Sequence, residues 1–297
     1  IQDPSMPSDF PRDALSSFPA QVRTRDGLSL FATHWPAPGT ARGVVCLVHG
    51  LGEHSGRYAH VVKAFQHQGW TVVTYDHRGH GQSPGPRGGL KQSDDLLHDL
   101  AAVIDTIRAT HPGLRLLVLG HSLGGLVVSR FVSALASPSE GASWQRPVDL
   151  CVLSSPALDL GMSGFQKALL NSVGSLMPDV AVSNGLKPEW VCSDASVVRD
   201  YVDDPLVHDR ITGRLTRFML DSCEVVHARA PSWTVPTLLI YAGSDRCVPP
   251  AGSERFAKAA PSQMLKSIAY PEMAHEVFHE PEKARVLADL MAWLHQH

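Results

Sequence analysis

The sequence predicts an α/β protein, with a mostly parallel central sheet, helices on both faces and a helical cap inserted late in the chain. Three features predict it: continuous apolar runs of strand length, amphipathic stretches of helical spacing between them, and one long break in this alternation between Leu158 and Asp221. The 297 residues are enough for one core with at most a subdomain. With 43% apolar and 19% charged residues, the chain can bury a sizeable core and does not have the composition of a disordered one. The expected division is core over 1–158, cap over 159–221 and core again over 222–297. Residues 1–5, ahead of Met6, read as a vector remnant and stand outside the fold argument.

The elements follow in order. "AQVRTRD" and "LSLFATHWPA" flank Asp26-Gly27, a strong hairpin signal, so the chain should open with an antiparallel pair. "GVVCLVHG" and "TVVTYDHRG" are strands apolar on both faces, and "YAHVVKAFQHQG" between them is a helix ending at Gly69. "SDDLLHDLAAVIDTIRATHPG" is an amphipathic helix capped by Ser93 or Asp94 and stopped by Pro-Gly. The strand "LRLLVLG", the helix "LGGLVVSRFVSALA" and the strand "VDLCVLSSPA" continue the alternation.

No run of strand character follows until "VPTLLIYAGSD". The helix "SERFAKAAP", the strand "LKSIAY" and the helix "EKARVLADLMAWLHQH" then complete the fold. The break begins at the C-terminal end of a strand, where open α/β sheets keep their ligand crevice, so it reads as a lid. Within it, Phe165, Leu169, Val173, Leu176 and Met177 recur at helical spacing.

Charge and cysteine content narrow the function classes. The net charge of −3 and the lack of any Lys/Arg run exclude the electrostatic footprint of nucleic-acid binding. Five widely spaced cysteines without a C-x-x-C pair read as reduced thiols, which favours a cytoplasmic setting. No stretch reaches the roughly 18 apolar residues of a membrane span, and the start has no signal pattern.

The chemistry centres on Gly120-His121-Ser122-Leu123-Gly124-Gly125, a G-x-S-x-G turn set between a strand and a helix. Such a turn strains its central residue, lifts the Ser122 hydroxyl above the sheet edge and places the Leu123 N–H where an oxyanion would develop. A serine hydroxyl needs a base, and the base needs an orienting acid. Asp245 and His275 follow the next two strand ends in the order this arrangement requires, and complete a candidate triad with Ser122. His49-Gly50-Leu51-Gly52 follows an earlier strand, and the Leu51 N–H is the candidate second oxyanion donor.

His275-Glu276-Val277-Phe278-His279 also fits the zinc-protease pattern H-E-x-x-H. That chemistry needs both histidines on one regular helix and a third ligand, yet Pro281 marks a loop here. Glu282 and Arg285 stand where the extended pattern requires Gly and His. No metal or organic cofactor is implied.

"HGLGEHSGRY", "YDHRGHGQSPG", "GHSLGG", "AGSDRCVPP" and "AHEVFHEP", in this order, resemble the monoacylglycerol lipase and lysophospholipase group of the α/β-hydrolase superfamily. The resemblance runs from about Ala20 to His295 and implies an α/β-hydrolase fold. It also implies a serine hydrolase of single-chain lipid esters, with a cap that makes transient contact with membranes or micelles. Glu53 and Arg57 would lie at the polar end of the pocket, holding glycerol hydroxyls or, equally, pairing with each other to fix the loop. Phe278 stands where some relatives carry a second histidine, with His279 one position later, so a glycerol role does not carry over to His279. Asp76, His77 and Arg78 read as braces of their loop. A lysophospholipase, a broad short-chain carboxylesterase, a peptidase of related fold and a slow-turnover small-molecule receptor remain the alternatives.

Overall fold

The computed structural model describes residues 18–137, 140–164, 166 and 177–297. Of the stripe expected to form a cap helix, Phe165, Leu169, Val173 and Leu176 lie outside the described residues; Met177 is described and exposed.

β1 (Gln21–Arg23) and β2 (Ser29–Trp35) form the expected antiparallel hairpin, closed by a five-residue loop in which Gly27 takes a φ of +89°. β2 runs antiparallel to β4 (Thr71–Tyr75). From β4 onward every pairing in the main sheet is parallel: β3 (Val44–Val48), β5 (Leu116–His121), β6 (Leu150–Ser154), β9 (Thr237–Ala242) and β10 (Leu265–Tyr270). The spatial order is β1-β2-β4-β3-β5-β6-β9-β10. β5 therefore sits in the middle, and the loops leaving β3, β5, β9 and β10 all open on the same edge.

The apolar runs are continuous because both faces are covered. Val44, Cys46 and Val48 of β3 pack into one hydrophobic cluster, and Val45 and Leu47 into the other, as the two-residue period of a strand dictates. The first cluster takes in residues of α2 (Asp95–Thr110), α3 (Leu123–Ser133), α5 (Gly213–Arg229) and α6 (Pro250–Ala259). The second takes in residues of α1 (Ala59–His67) and α7 (Lys283–Leu294). α1 ends as its sequence predicts. Gly69 takes a φ of +77° and donates to the Gln66 carbonyl, while Trp70 donates to the Phe65 carbonyl.

Three details differ from the sequence reading. Asp94 sits at the start of α2 without capping it and accepts a bond from Arg25 instead, at 2.6 Å; the neighbouring Asp95 takes the Lys91 and Gln92 N–H groups. The insertion contains strand after all: β7 (Ala181–Ser183) and β8 (Arg210–Thr212) form a small antiparallel sheet. At three residues each, they are too short to show a period. Helix α5 runs straight through position 221, the expected end of the insertion, and packs on α3. The insertion also holds α4 (Ala195–Asp203).

Phe65 on α1 is fully buried against the sheet. Phe65→Ala is expected to cost about 3–5 kcal/mol, read as a lower urea midpoint at unchanged slope.

Candidate active site

β5 delivers Ser122 into a turn that only small neighbours permit. Ser122 has a φ of 54° and a ψ of −118°, in the left-handed region that costs a non-glycine residue about 1–3 kcal/mol. Tertiary contacts hold it there. Its N–H donates to the Ser154 carbonyl, and its own carbonyl accepts from Leu126 and Ala157, all at 3.0 Å. A Cβ on Gly124 would lie 2.2 Å from the Val48 carbonyl oxygen, and one on Gly120 would lie 2.4 Å from that of Gly124. Glycine at both positions is what lets α3 start directly against the ends of β3 and β5.

The structure brings the other two predicted residues to this edge. Asp245 follows β9 and His275 follows β10. Asp245 Oδ2 accepts from His275 Nδ1 at 2.6 Å, and its Oδ1 accepts the Cys247 and Val248 N–H groups, both at 2.8 Å. The carboxylate is thus held by three donors of fixed geometry, and the imidazole turns Nε2 away from it. Burial alone would lower the His275 pKa, but Asp245, helped by Glu276 and Glu53, raises it above the ordinary value. The ring of His121, next to Ser122 in the chain, lies 4.8 Å from the His275 ring, so the serine and histidine loops meet.

Among the described residues, no backbone carbonyl accepts from the Leu51 or Leu123 N–H, the two predicted oxyanion donors. Leu123 is the first residue of α3, where an N–H has no partner within the helix and the positive end of the helix dipole adds to it. The Leu51 loop is shaped by Glu53, whose Oε1 accepts the Gly50 N–H at 2.7 Å and the Tyr58 hydroxyl at 2.6 Å. A Cβ on Gly50 would fall 3.1 Å from Ser122 Cβ, which places this loop directly over the serine.

Glu53 and Arg57 do pair, at 2.6 Å, and a residue the sequence reading did not single out for this role joins them. Glu276 takes both arms of the Arg57 guanidinium, at 2.6 and 2.7 Å. Burial opposes the charge on Glu53, yet Arg57 and nearby histidines hold its carboxyl well below the usual range. Asp76, His77 and Arg78 act as braces. Asp76 accepts from Ser55 and Gln82, His77 exchanges bonds with His49, and Arg78 pairs with Asp26, Asp95 and Asp99.

The H-E-x-x-H segment contains no helix. His275 faces Asp245, whereas His279 Nε2 donates to the Arg57 carbonyl at 3.0 Å. Among the described residues, one group could offer a metal three ligand atoms within 4.8 Å of one another: Asp245, Cys247 and His275. Two of those three are already bonded to each other. The segment expected to form the insertion contacts these loops at three points. His208 donates to the Gly52 carbonyl, Glu276 to that of Val191, and His54 pairs with Asp204. Its residues also line a half-open pocket of about 280 Å³, among them Val191, Tyr201 and His208.

A family model described as serine aminopeptidase, S33, matches residues 39–282, a span that includes every residue of this site. The chain belongs to the serine aminopeptidase S33 family. It is 34% identical over 274 residues to a monoacylglycerol lipase of Mycolicibacterium smegmatis, covering 91% of this chain and 94% of that protein. It is 28% identical over 296 residues to the human monoglyceride lipase, covering 96% and 94%. Among solved structures it is similar to the monoacylglycerol lipase of Paleococcus ferrophilus, with a TM-score of 0.79, 32% identity and coverage of 89% and 98%. The motif resemblance and the α/β-hydrolase fold expected from the sequence are both borne out. In this S33 chain no helix among the described residues is long and apolar enough to cross a membrane.

Gly124→Ala would drive a methyl group into the backbone of β3. It is expected to lose about 1–3 kcal/mol, measured as a lower urea midpoint.

Proposed function

We propose that the protein is a serine hydrolase that cleaves monoacylglycerols and similar single-chain esters through an acyl-enzyme. The observation that carries this reading is the strained Ser122 at the centre of the sheet edge, with an Asp245–His275 pair 2.6 Å apart on the neighbouring strand ends. Ser122 Oγ attacks the ester carbonyl as His275 Nε2 takes its proton. Asp245 keeps Nδ1 protonated and stabilises the imidazolium. The Leu51 and Leu123 N–H groups receive the negative charge on the carbonyl oxygen. Collapse of the tetrahedral species breaks the C–O bond, and the His275 proton leaves with the alcohol. Water then attacks the acyl-serine by the same route, releasing the fatty acid and restoring Ser122.

The similarity to monoacylglycerol lipases supports a neutral glycerol leaving group. So does the charge beside the site: two carboxylates occupy the Arg57 guanidinium, leaving it no free face for a phosphate. We place Glu53 and Arg57 at the polar end of the substrate's binding region, beside the Leu51 loop. The exposed large apolar residues among those described are Met177, Val180, Val182, Leu186 and Val202, all within the insertion. We place the transient contact with lipid on this face, with the insertion acting as a cap.

A series of 1-monoacylglycerols from short to long chain, run beside matched lysophosphatidylcholines, tests the reading. The expected result is a rate that rises with chain length on the glycerides, stays low on the lysophospholipids, and falls at least about 10⁴-fold in Ser122→Ala. A flat profile, or one favouring the shortest esters, would leave a general esterase. Undiminished turnover by Ser122→Ala would overturn the assignment of the nucleophile.

A further inference from the structure

Three loops meet at the Arg57 guanidinium. It bonds Glu53 through Nη1 and Glu276 through both Nη1 and Nη2, with all three distances between 2.6 and 2.7 Å. The side chains are almost wholly enclosed, with Arg57 10%, Glu53 3% and Glu276 4% exposed. A two-armed bond between planar groups fixes orientation as well as distance, which a single contact would not. Glu276 is the residue after His275, and Glu53 holds the Gly50 N–H one residue before Leu51. The guanidinium also lies 4.9 Å from the ring centre of Tyr201 in the insertion, and the Glu276 N–H bonds the Val191 carbonyl there. One ion cluster therefore spans the loop of the base, the loop of an oxyanion donor and the insertion above them.

We propose that Glu276 is a positioning residue: through Arg57 and Glu53 it sets the His275 loop against the Leu51 loop, and its charge favours the imidazolium formed as Ser122 is deprotonated. This rests on the reading of His275 as the base.

The electrostatic part depends on what faces His275 from each side. Asp245 and Cys247 come from the loop after β9, His121 from the end of β5, and Glu276 and His279 from its own loop. Glu53, Arg57 and Tyr58 come from the segment before α1, and Tyr201 from the insertion. Burial lowers His121 and His279 to about 4, so both are neutral where the base works. Burial raises the Cys247 thiol and the Tyr58 and Tyr201 hydroxyls, so these are neutral too. The charged neighbours are Asp245, Glu53, Glu276 and Arg57. Removing the Glu276 charge leaves Arg57 less compensated and lowers the His275 pKa. The neutral, active form then persists to lower pH.

The test is the pH profile of kcat/KM for a soluble ester, p-nitrophenyl butyrate, with Glu276→Gln and Glu276→Asp beside wild type and thermal melts as a folding check. Glu276→Gln should move the acid limb down by about half to one pH unit. Glu276→Asp keeps the charge but shortens the reach to Arg57. It should leave the limb in place and lower the plateau of kcat about 10- to 100-fold with little change in KM. An acid limb unmoved in Glu276→Gln, whatever its plateau, would make Glu276 a structural brace and overturn the proposal. Should Glu276→Gln not fold, a wild-type plateau in Glu276→Asp would overturn it equally. A His275→Ala variant that keeps the wild-type limb would instead remove the base assignment, and this proposal with it.

Discussion

Everything at this site depends on a single backbone conformation, that of Ser122 between β5 and α3. A φ of 54° turns the chain from strand to helix within one residue. The strain is offset by packing. Three backbone hydrogen bonds hold the residue, and glycines at 120 and 124 let helix and strands come closer than any side chain would allow. The same close approach starts α3 at Leu123, whose N–H has no partner within the helix. The proposed nucleophile and one proposed oxyanion donor thus follow from one local constraint.

The sheet does the rest by its order. With β5 central, β3 on one side and β6, β9 and β10 on the other, parallel strands bring loops from distant parts of the sequence to one edge. Asp245 and His275 are 30 residues apart, yet meet at 2.6 Å because β9 and β10 are neighbours in register. Polar bonds then tie these loops together: Asp76 to the Ser55 segment, Arg78 to three aspartates, and the Glu53–Arg57–Glu276 cluster across the site. Buried charges of this kind add little net stability, and their value lies in the arrangement they enforce.

What was legible in the sequence is what local chemistry dictates. The two-face apolar runs gave the parallel strands, Asp26-Gly27 the hairpin, Gly69 the end of α1, and the G-x-S-x-G turn the place of Ser122. Asp245 and His275 were legible because each lies in the short loop that leaves a strand end. What escaped depends on contacts between distant segments. β7 and β8 pair across the insertion with three residues each, too few for a periodic signal. Asp94 stands where a cap would, but Arg25, from the hairpin, draws its carboxylate away. Glu276 was visible as part of a zinc-like pattern, and its partner Arg57 lies 219 residues away in the chain. Only the fold reveals that this glutamate faces a guanidinium.

In the proposed mechanism Ser122 is the nucleophile, and His275 and Asp245 activate it. Intact-mass analysis and peptide mapping after exposure to an alkyl fluorophosphonate test it most directly. One phosphonyl adduct is expected, on the peptide holding Ser122, absent from Ser122→Ala and formed far more slowly in His275→Ala. Labelling that persists in Ser122→Ala, or that falls on another residue such as Cys247, would contradict it.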